Sequence, residues 1–352
     1  MTIPGEAMLS PLTEDRDISV GVIGCGHWGP NHVRVFSSLP GSTVTAVADP
    51  DVRRLESARQ SHPAVRRLTD YRELLGQESL DAIVVATPTR THYEIARKAL
   101  EAGKHVLVEK PLCLTAVEGE ELVRLARRGG VVLMVGQVFL FHNGIAKLKE
   151  FLESGEAGKL YYIGSTRTNL GPIRQDVNAV YDLASHDVSI FNWLLGSRPL
   201  MVSAVGEAFL QEGIEDIAFI SLRYPNDVLA RIHASWLDPK KVREITIVGA
   251  RKMITWDDLA PLGTVQVFDK GVVRDPYYAD YGHFQLLARE GDITIPRIQL
   301  EEPLRKQARY FLSAIKKGRA ELSDGESGVE VVRTVEAIQQ SLKARGAPVA
   351  VQ

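Results

Sequence analysis

The stretch "GVIGCGHWG", residues 21–29, decides the fold of the first part of this chain. Its last three glycines, Gly24, Gly26 and Gly29, follow the spacing G-x-G-x-x-G. They come after the strand-like run "ISVGVI" and before the helix-like run "NHVRVFSSL". In that setting the spacing is typical of a dinucleotide-binding turn, because glycines permit both a sharp turn and the close approach of a pyrophosphate to the helix N-terminus. The alternative is a glycine-rich turn without a ligand. The residues predicted to contact the dinucleotide are Gly24, Gly26, His27, Trp28 and Gly29.

Short apolar strands alternate with amphipathic helices from this turn as far as Gln137. The next predicted strands are "STVTAVAD", "LDAIVVATP", "HVLVEK" and "VVLMVGQ". Strands that are almost continuously Val, Ile and Ala, separated by helices, indicate a parallel sheet covered on both faces. We therefore predict an α/β fold whose N-terminal Rossmann dinucleotide-binding domain covers residues 17–138.

The pattern of the sequence changes after Gln137. Strands become longer and alternate between apolar and polar residues, as in "KLYYIGSTRTNL", "EDIAFISLRY" and "REITIVGARKMITW". Such alternation indicates an antiparallel sheet with one face toward water. A helix, "YDLASHDVSIFNWLLG", interrupts these strands, and two more helices close the chain. We predict a second α/β domain, residues 139–352, with a large, mainly antiparallel open sheet.

Composition excludes several classes of partner. The 352 residues include 42 basic and 44 acidic side chains, giving a formal net charge of -2. This balance does not favour nucleic acid or an anionic membrane as a partner, and no apolar run approaches the roughly 18–20 residues of a membrane span. The N-terminal stretch lacks the basic start and apolar segment of a signal peptide. With only two cysteines, Cys25 and Cys113, we expect a cytoplasmic protein.

An acidic residue at the end of the second strand indicates which dinucleotide binds. Asp49 follows Gly29 by twenty residues, where a carboxylate accepts hydrogen bonds from the adenosine ribose hydroxyls. An acid there repels a 2′-phosphate, so NAD is favoured over NADP. Arg53 and Arg54 lie nearby and weaken this preference. The alternative is a surface carboxylate without a ligand.

The stretch "ATPTRTH", Ala86–His92, follows the strand "LDAIVV". Loops at the carboxyl ends of parallel strands line the cofactor crevice of such a sheet. We therefore predict that Thr87, Pro88 and His92 contact the cofactor. The structural alternative is that Pro88 stops the strand and Thr91 caps the following helix.

A strand that ends in two charges and a proline stands at the same edge. In "HVLVEKPLCL", His105–Leu114, an apolar strand runs into Glu109, Lys110 and Pro111. The Lys110 ammonium is expected to reach the crevice and hydrogen-bond a substrate oxygen, and Pro111 is suited to a cis peptide. The alternative, a surface ion pair between Glu109 and Lys110, is disfavoured because adjacent strand residues face opposite ways. Further predicted cofactor contacts are Glu109, Lys110 and Gln137.

A second cluster lies in the helix "YDLASHDVS". Asp182 and His186 are four residues apart and are predicted to share one helical face, so that the carboxylate orients the imidazole for acid–base chemistry. Asp187 lies off that face and is expected to be solvated or to cap the helix. The alternative is that His186 is a structural histidine. No residues with metal-ligand spacing are apparent, since the glycine turn must stay open for phosphate.

Taken together, these stretches resemble the glucose–fructose oxidoreductase / inositol dehydrogenase / rhizopine catabolism (Gfo/Idh/MocA) family, from about Val20 to Val349. The similarity is carried by the glycine turn, by "VVATPTRTHYEIARKALEAGKHVLVEKPLCLT" and by "DLASHDVSIFNWLLG". By position, Lys110 corresponds to the family's Glu-Lys-Pro lysine, and Asp182 and His186 to its D-x-x-x-H pair. This chain has "DVNAVYD" where the family often has glycines, and Leu140 where many members have Arg.

The resemblance implies hydride transfer between NAD and a secondary alcohol or ketone of a sugar, with Lys110, Asp182 and His186 as catalytic residues. It also implies that the large sheet joins copies into a homodimer or homotetramer. We expect a nucleotide sugar as the substrate. The alternatives are a cyclitol or aminosugar dehydrogenase or ketoreductase, an NAD-retaining lyase or glycosidase, and, least favoured, a nucleotide-sensing regulator. The predicted substrate-binding residues are Lys110, Asn169, Arg174, Asn178 and His186.

Overall fold

The computed structural model describes residues 16–261, 263–274, 286–299 and 301–352. The N-terminal stretch considered for a signal peptide lies almost entirely outside these residues. Contacts between Cα atoms divide the chain into two compact units. The first is formed by the described residues up to Gly136 and by Leu304–Val329, and the second by those of Gln137–Pro303 and Glu330–Gln352.

The first unit is built on a parallel sheet of six strands in the order β3-β2-β1-β4-β5-β6. The strand order reverses at β1, so the loops after β1 and β4 flank the crevice typical of a doubly wound sheet. The predicted parallel sheet is confirmed, and β3, which was not predicted, extends one edge. The strands are β1 Ile18–Ile23, β2 Ser42–Ala48, β3 Arg66–Leu68, β4 Ala82–Val85, β5 His105–Glu109 and β6 Leu133–Gly136.

Helices connect the strands of this sheet. The clearest local signal is at α5, where Thr115 and Glu118 form a capping box and Gly130 ends the helix in the left-handed region, with φ +62°. The five connecting helices are α1 Gly29–Ser37, α2 Val52–Ser61, α3 Tyr71–Leu75, α4 His92–Glu101 and α5 Ala116–Gly129.

The segment Leu304–Val329 groups with the first unit, whereas the predicted boundary assigned everything after residue 138 to the second domain. This segment contains most of the helix Pro303–Lys317, which is α8 in chain order. Its Phe311 packs edge-on against Phe36, with ring centroids 6.4 Å apart. The Ser323 hydroxyl donates to the Val135 carbonyl at 2.7 Å. These contacts join residues that are far apart in the chain and leave no local sequence pattern. A single predicted boundary near residue 138 therefore could not assign this segment to the first unit.

The second unit is built on a nine-stranded mixed sheet in the order β16-β13-β12-β11-β7-β10-β9-β8-β17. All its strand pairs are antiparallel except β7 with β10, so the predicted large, mainly antiparallel sheet is confirmed. Its strands are β7 Leu160–Leu170, β8 Met201–Glu207, β9 Ile217–Arg223, β10 Leu229–Ser235, β11 Leu237–Gly249, β12 Met253–Asp257, β13 Val265–Phe268, β16 Ile293–Thr294 and β17 Val349–Ala350.

Smaller elements complete this part of the chain. Strands β14 (Gly271–Arg274) and β15 (Leu286–Arg289) pair with each other in a separate two-stranded sheet. The helices are α6 Asn143–Glu153, α7 Ser185–Leu195 and α9 Gly325–Lys343, the last of which runs across the division between the units. Along β9, buried and exposed side chains alternate, because one face of the sheet is covered and the other is open. In the described part of the chain, every helix is too short or too polar to span a bilayer.

Candidate active site

The glycine turn after β1 has the geometry of a dinucleotide cradle. Gly24 has φ +97°, and a Cβ there would lie 2.5 Å from the Ala86 carbonyl oxygen. A Cβ on Gly29 would lie 1.9 Å from the Gly24 oxygen. Gly26 differs, because its nearest neighbour would be the end of the Arg54 side chain at 3.9 Å. Two glycines therefore close the turn, and the third leaves its outer surface open for a ligand to approach.

Helix α1 begins at this open surface. Trp28, at the N-cap, makes no side-chain capping hydrogen bond, and the first turn contains no acidic residue. The amide groups of the first turn therefore have no carboxylate from that turn beside them. The positive end of the helix dipole then favours an anion at this position. His27 is exposed, and its ring meets Trp28 edge-on at 5.6 Å. This arrangement fits the pyrophosphate of a dinucleotide.

Asp49 is fixed at the end of β2 by backbone amides. Its Oδ2 accepts from the Cys25 amide at 2.7 Å and its Oδ1 from the Asp51 amide at 2.8 Å, and the residue is 3% exposed. Arg54 lies 3.6 Å from Asp49, and Arg53 hydrogen-bonds Asp51. Each arginine therefore has an acid beside it, which offsets the positive charge that would otherwise attract a 2′-phosphate.

The thiol inside the glycine turn is not suited to nucleophilic chemistry. Burial, followed by the nearby Asp49 carboxylate, raises the pKa of Cys25 from 9.0 to about 12. Cys113 is fully buried, and both cysteines are free thiols. Within the described ranges, no group of three His, Cys, Asp or Glu side chains is arranged to hold a metal ion.

The loop after β4 lies against the glycine turn, since the Thr87 methyl would be 2.9 Å from a Cβ on Gly24. Thr91 occupies the N-cap of α4 but makes no capping hydrogen bond. Its hydroxyl lies instead 2.7 Å from the Pro88 carbonyl and 2.8 Å from the Thr87 hydroxyl. The alternative that Thr91 caps the helix is therefore wrong, and its side chain shapes the loop predicted to contact the cofactor.

His92 lies buried between the loops that follow two neighbouring strands. The residue is 1% exposed, with Nδ1 2.8 Å from the Pro111 carbonyl oxygen and Nε2 2.9 Å from the Thr87 carbonyl oxygen. Both ring nitrogens thus lie within hydrogen-bond distance of protein carbonyls. Direct contact of this side chain with a cofactor stays a prediction, and its two partners lie in the predicted site loops.

Glu109 and Lys110 stand at the carboxyl end of β5, as predicted. The Lys110–Pro111 peptide is cis, which confirms the suitability of Pro111 for that bond. Glu109 Oε1 lies 2.7 Å from Nε2 of His32, and Oε2 accepts from the Lys110 backbone amide at 3.3 Å. The partner of the buried Glu109 carboxylate is therefore His32 of helix α1. Sequence reasoning missed this residue, because the two positions are separated by 77 residues.

The second unit places Asp182 and His186 in two different kinds of helix. Asp182 lies in a π-helical turn, Val180–Ala184, and His186 lies in α7, which begins at Ser185. The predicted helix is present, but its first turn, which carries Asp182, is π-helical and has a wider repeat than 3.6 residues. Such turns are frequent at functional sites.

The Asp182 carboxylate is held by two donors from other elements. Arg174 donates to Oδ1 at 3.1 Å, and the indole N–H of the fully buried Trp236 donates to Oδ2 at 3.2 Å. Arg174 also binds Asp176, at 2.7 Å. The structure thus brings Arg174, a predicted substrate ligand, to the predicted catalytic carboxylate.

His186 packs against an aromatic and cationic cluster that sequence reasoning missed. The Phe139 ring meets the imidazole edge-on at 4.9 Å, and the Arg167 guanidinium lies 4.4 Å from the Phe139 centroid. Arg167 forms a bidentate pair with Asp187, with both N–O distances 2.9 Å. The expectation that Asp187 is solvated or caps the helix is wrong, because Asp187 is 1% exposed and neutralises a buried arginine.

The two asparagines of the predicted substrate set are engaged with protein groups. Asn178 is buried, and its amide nitrogen donates to Gln339 at 3.0 Å, while its oxygen accepts from the Tyr181 amide at 3.2 Å. The Asn169 amide donates to the Gly171 carbonyl. Asn178 therefore anchors the π-helical turn that carries Asp182. Gln137 directly follows β6 and is also buried.

Comparison with known proteins adds two family matches. Residues 18–137 match the GFO_IDH_MocA family model, described as an oxidoreductase family with an NAD-binding Rossmann fold. Residues 145–255 match the GFO/IDH/MocA C-terminal domain. The two matches fall on the parallel sheet and on the core strands of the mixed sheet.

Three relatives illustrate the range of similarity. The uncharacterized oxidoreductase YrbE of Bacillus subtilis is 29% identical over 96% of this chain and 97% of its own. The scyllo-inositol 2-dehydrogenase (NAD(+)) of Bacillus subtilis is 30% identical over 64% of this chain and 69% of its own. The UDP-N-acetylglucosamine 3-dehydrogenase of Acidithiobacillus ferrooxidans is 25% identical over 92% of this chain and 97% of its own. Its solved structure aligns with a TM-score of 0.77, covering 93% of this chain and 98% of that one.

Proposed function

Because the chain belongs to the GFO/IDH/MocA family of oxidoreductases with an NAD-binding Rossmann fold, we propose that it oxidises a secondary alcohol of a nucleotide sugar, or reduces the corresponding ketone. The chain is an NAD-dependent oxidoreductase, and sugars and cyclitols are the substrates of the named relatives. The observation that carries the proposal is the glycine turn with its fixed Asp49 carboxylate, at the same sheet edge as Lys110.

Three side chains carry the proposed reaction. Lys110 binds the reacting oxygen through its ammonium, which stabilises the developing alkoxide as the alcohol loses its proton. That proton is shared with His186, so that either Lys110 or His186 is the base, and Asp182 stabilises the charge that the imidazole acquires. NAD, when bound, supplies the acceptor or donor of the hydride. Gly24, Gly26, Gly29 and Asp49 would hold its pyrophosphate and ribose.

The other predicted site residues are assigned either to the cofactor or to the substrate. Thr87 and Pro88 line the cofactor side of the loop after β4, and Gln137 stands at the end of the neighbouring strand β6. Arg174 is the side chain best placed to contact a sugar hydroxyl or phosphate, because it already borders Asp182 and is partly exposed. These assignments follow from position at strand ends and beside Asp182.

The choice of a nucleotide sugar rests on how far each similarity extends. Similarity to the UDP-N-acetylglucosamine 3-dehydrogenase runs through 92% of this chain. Similarity to the scyllo-inositol enzyme covers 64%, at higher identity. The similarity that extends through both units therefore favours the nucleotide sugar as the first candidate. A cyclitol is the second candidate, favoured by the higher identity of the shorter match.

We also propose that a second copy of this chain covers the open face of the mixed sheet, in a homodimer or homotetramer. Val205 and Phe219 are paired across β8 and β9, and each is 52% exposed. Phe219 stacks on His233 of β10 at 4.5 Å. Exposed apolar side chains in register on one face indicate an interface. Light scattering of Phe219→Glu should give a smaller particle than the unmodified protein, and an unchanged mass would exclude this face.

The cellular location proposed for the chain is the cytoplasm. Cys25 and Cys113 are both free thiols, and free buried thiols are typical of a reducing compartment. Fractionation of cells carrying the tagged chain tests this directly. Recovery with the soluble cytoplasmic fraction is expected, and recovery outside the cytoplasm would contradict it.

The reaction is tested by mixing the purified protein with NAD and a panel of UDP-sugars, inositols and aminosugars, while following NADH absorbance. A rising signal with UDP-sugars supports the first candidate, and a rising signal with inositols alone supports the second. The same reaction is run with Lys110→Ala. A flat signal across the whole panel in both directions of the reaction would contradict the proposal.

A further inference from the structure

We propose that His32 and His92 are positioning residues, which hold the backbone on both sides of Lys110 and so set where its ammonium reaches. This inference rests on the proposed role of Lys110 at the reacting oxygen. All of its contacts lie within the first unit.

The first contact approaches Lys110 from the preceding residue. His32 is 0% exposed, and its Nε2 donates to Glu109 Oε1 at 2.7 Å. The other oxygen of the same carboxylate accepts from the Lys110 backbone amide at 3.3 Å. Helix α1, which starts in the glycine turn, is thereby connected through one carboxylate to the amide of the proposed catalytic residue. A hydrogen bond to a carboxylate in a buried site is among the stronger ones.

The second contact approaches from the following residue. His92 Nδ1 lies 2.8 Å from the Pro111 carbonyl oxygen, and Nε2 lies 2.9 Å from the Thr87 carbonyl oxygen. A carbonyl oxygen only accepts, so a neutral ring donates to one of the two and a charged ring to both. In either state the imidazole occupies the space between the loop after β4 and the loop after β5, and it fixes the spacing of those loops.

The two contacts act on the same short segment. A lysine side chain is long and flexible, so the position of its backbone decides which positions the ammonium samples. A displacement of about 1 Å at a reacting group can cost about a hundredfold in rate. His32 and His92, which contact residues 109–111, therefore affect turnover more than their contribution to stability would indicate.

A matched control lies on the same strand. His105 begins β5, at the end opposite to Lys110, and its Nδ1 accepts from the Val132 amide at 3.0 Å. It is a partly buried histidine bonded to the residue before β6, and it touches none of the site loops through that bond. His105→Asn keeps an acceptor near the same place and should leave the position of Lys110 unchanged.

The experiment compares His32→Gln, His92→Gln and His105→Asn in the full chain, loaded with NAD. Lysines are methylated with an isotope label, and the Lys110 dimethylamine resonance is assigned by its absence from Lys110→Ala. We expect this resonance to shift in His32→Gln and His92→Gln and to stay unchanged in His105→Asn. With the active sugar of the panel, kcat should fall about tenfold to a hundredfold in the first two variants, with the KM for NAD within about twofold.

Either of two results would overturn the inference. One is an unchanged Lys110 resonance and kcat in His32→Gln and His92→Gln, with only the melting temperature lowered. The other is a fall in kcat without any change in the resonance. If a histidine variant fails to fold, Glu109→Gln tests the same connection while keeping an acceptor oxygen. If the resonance shifts as expected but Lys110→Ala turns over normally, the positioning stands and the proposed role of Lys110 fails.

Discussion

The Arg174 guanidinium lies 3.1 Å from the Asp182 carboxylate, which stands in a single π-helical turn directly before α7. Trp236 donates to the other carboxylate oxygen. These two donors hold the carboxylate in a fixed orientation, which is needed if Asp182 is to stabilise a charged imidazole on His186.

Asp182→Asn should therefore lower kcat by on the order of a hundredfold, because a neutral amide no longer stabilises the imidazolium. Binding of NAD should be unchanged. Asp176→Asn is the matched control, since Asp176 also binds Arg174, at 2.7 Å. Its kcat should stay within about threefold of the original. Steady-state kinetics and fluorescence titration with NAD measure both effects, and equal losses in the two variants would contradict the role of Asp182.

Asp49→Asn should shift coenzyme preference toward NADP. The substitution removes the charge that repels a 2′-phosphate and leaves Arg54 with Asp51, at 3.8 Å, in place of two acids. We expect the ratio of kcat/KM for NADP to that for NAD to rise by about tenfold or more. Asp51→Asn keeps a helix-capping side chain but removes the acid beside Arg53, so it should raise this ratio less than Asp49→Asn does. A ratio that stays constant in Asp49→Asn would show that another group selects the coenzyme.

The buried pair of Arg167 and Asp187 should contribute strongly to stability when only one partner is removed. The two side chains are 4% and 1% exposed, so Asp187→Ala leaves a buried guanidinium without its carboxylate. We expect a loss of about 3–5 kcal/mol in the free energy of unfolding, measured by urea titration. The double variant Arg167→Met, Asp187→Leu should recover much of this loss. A single-variant loss below about 1 kcal/mol would mean that water reaches the pair.

His105 should make the first unit less stable as the pH falls. Burial lowers the pKa of His105 from 6.5 to about 4, so below pH 6.5 the unfolded chain binds a proton that the folded chain does not. The contribution of neutral His105 to the free energy of unfolding is fully present above pH 6.5. It is lost as the pH falls toward 4, by up to about 3 kcal/mol. Urea midpoints between these pH values should fall more steeply for the unmodified protein than for His105→Asn. Parallel curves would contradict the shifted titration.

The sequence predicts correctly those parts of the fold that depend on residues close together in the chain. The glycine turn, Asp49 at the end of β2 and Lys110 at the end of β5 follow from strand–helix alternation and from strand ends. The short strand β3, Arg66–Leu68, is mostly polar and too brief to show a period. The parallel pairing of β7 with β10 depends on a crossover that local alternation does not record.

The corrections at the candidate site share one physical cause, which is long-range contact. Asp187 looked solvated because its partner Arg167 lies twenty residues away on β7. The π-helical turn at Asp182 depends on Asn178 and its partner Gln339 on α9. His32 pairs with Glu109 only because the sheet places α1 beside the end of β5. No periodicity or spacing rule connects such residues in a single sequence.

The measurement that tests the central claim most directly is turnover by Lys110→Met, compared with the unmodified protein, using NAD and the active sugar of the panel. Methionine keeps the unbranched shape and most of the length of the side chain and removes its charge and donors. We predict that the variant binds NAD with unchanged affinity and loses kcat by about a hundredfold to ten-thousandfold. A variant that binds NAD and turns over at the rate of the unmodified protein would contradict the assignment of Lys110 to the reacting oxygen.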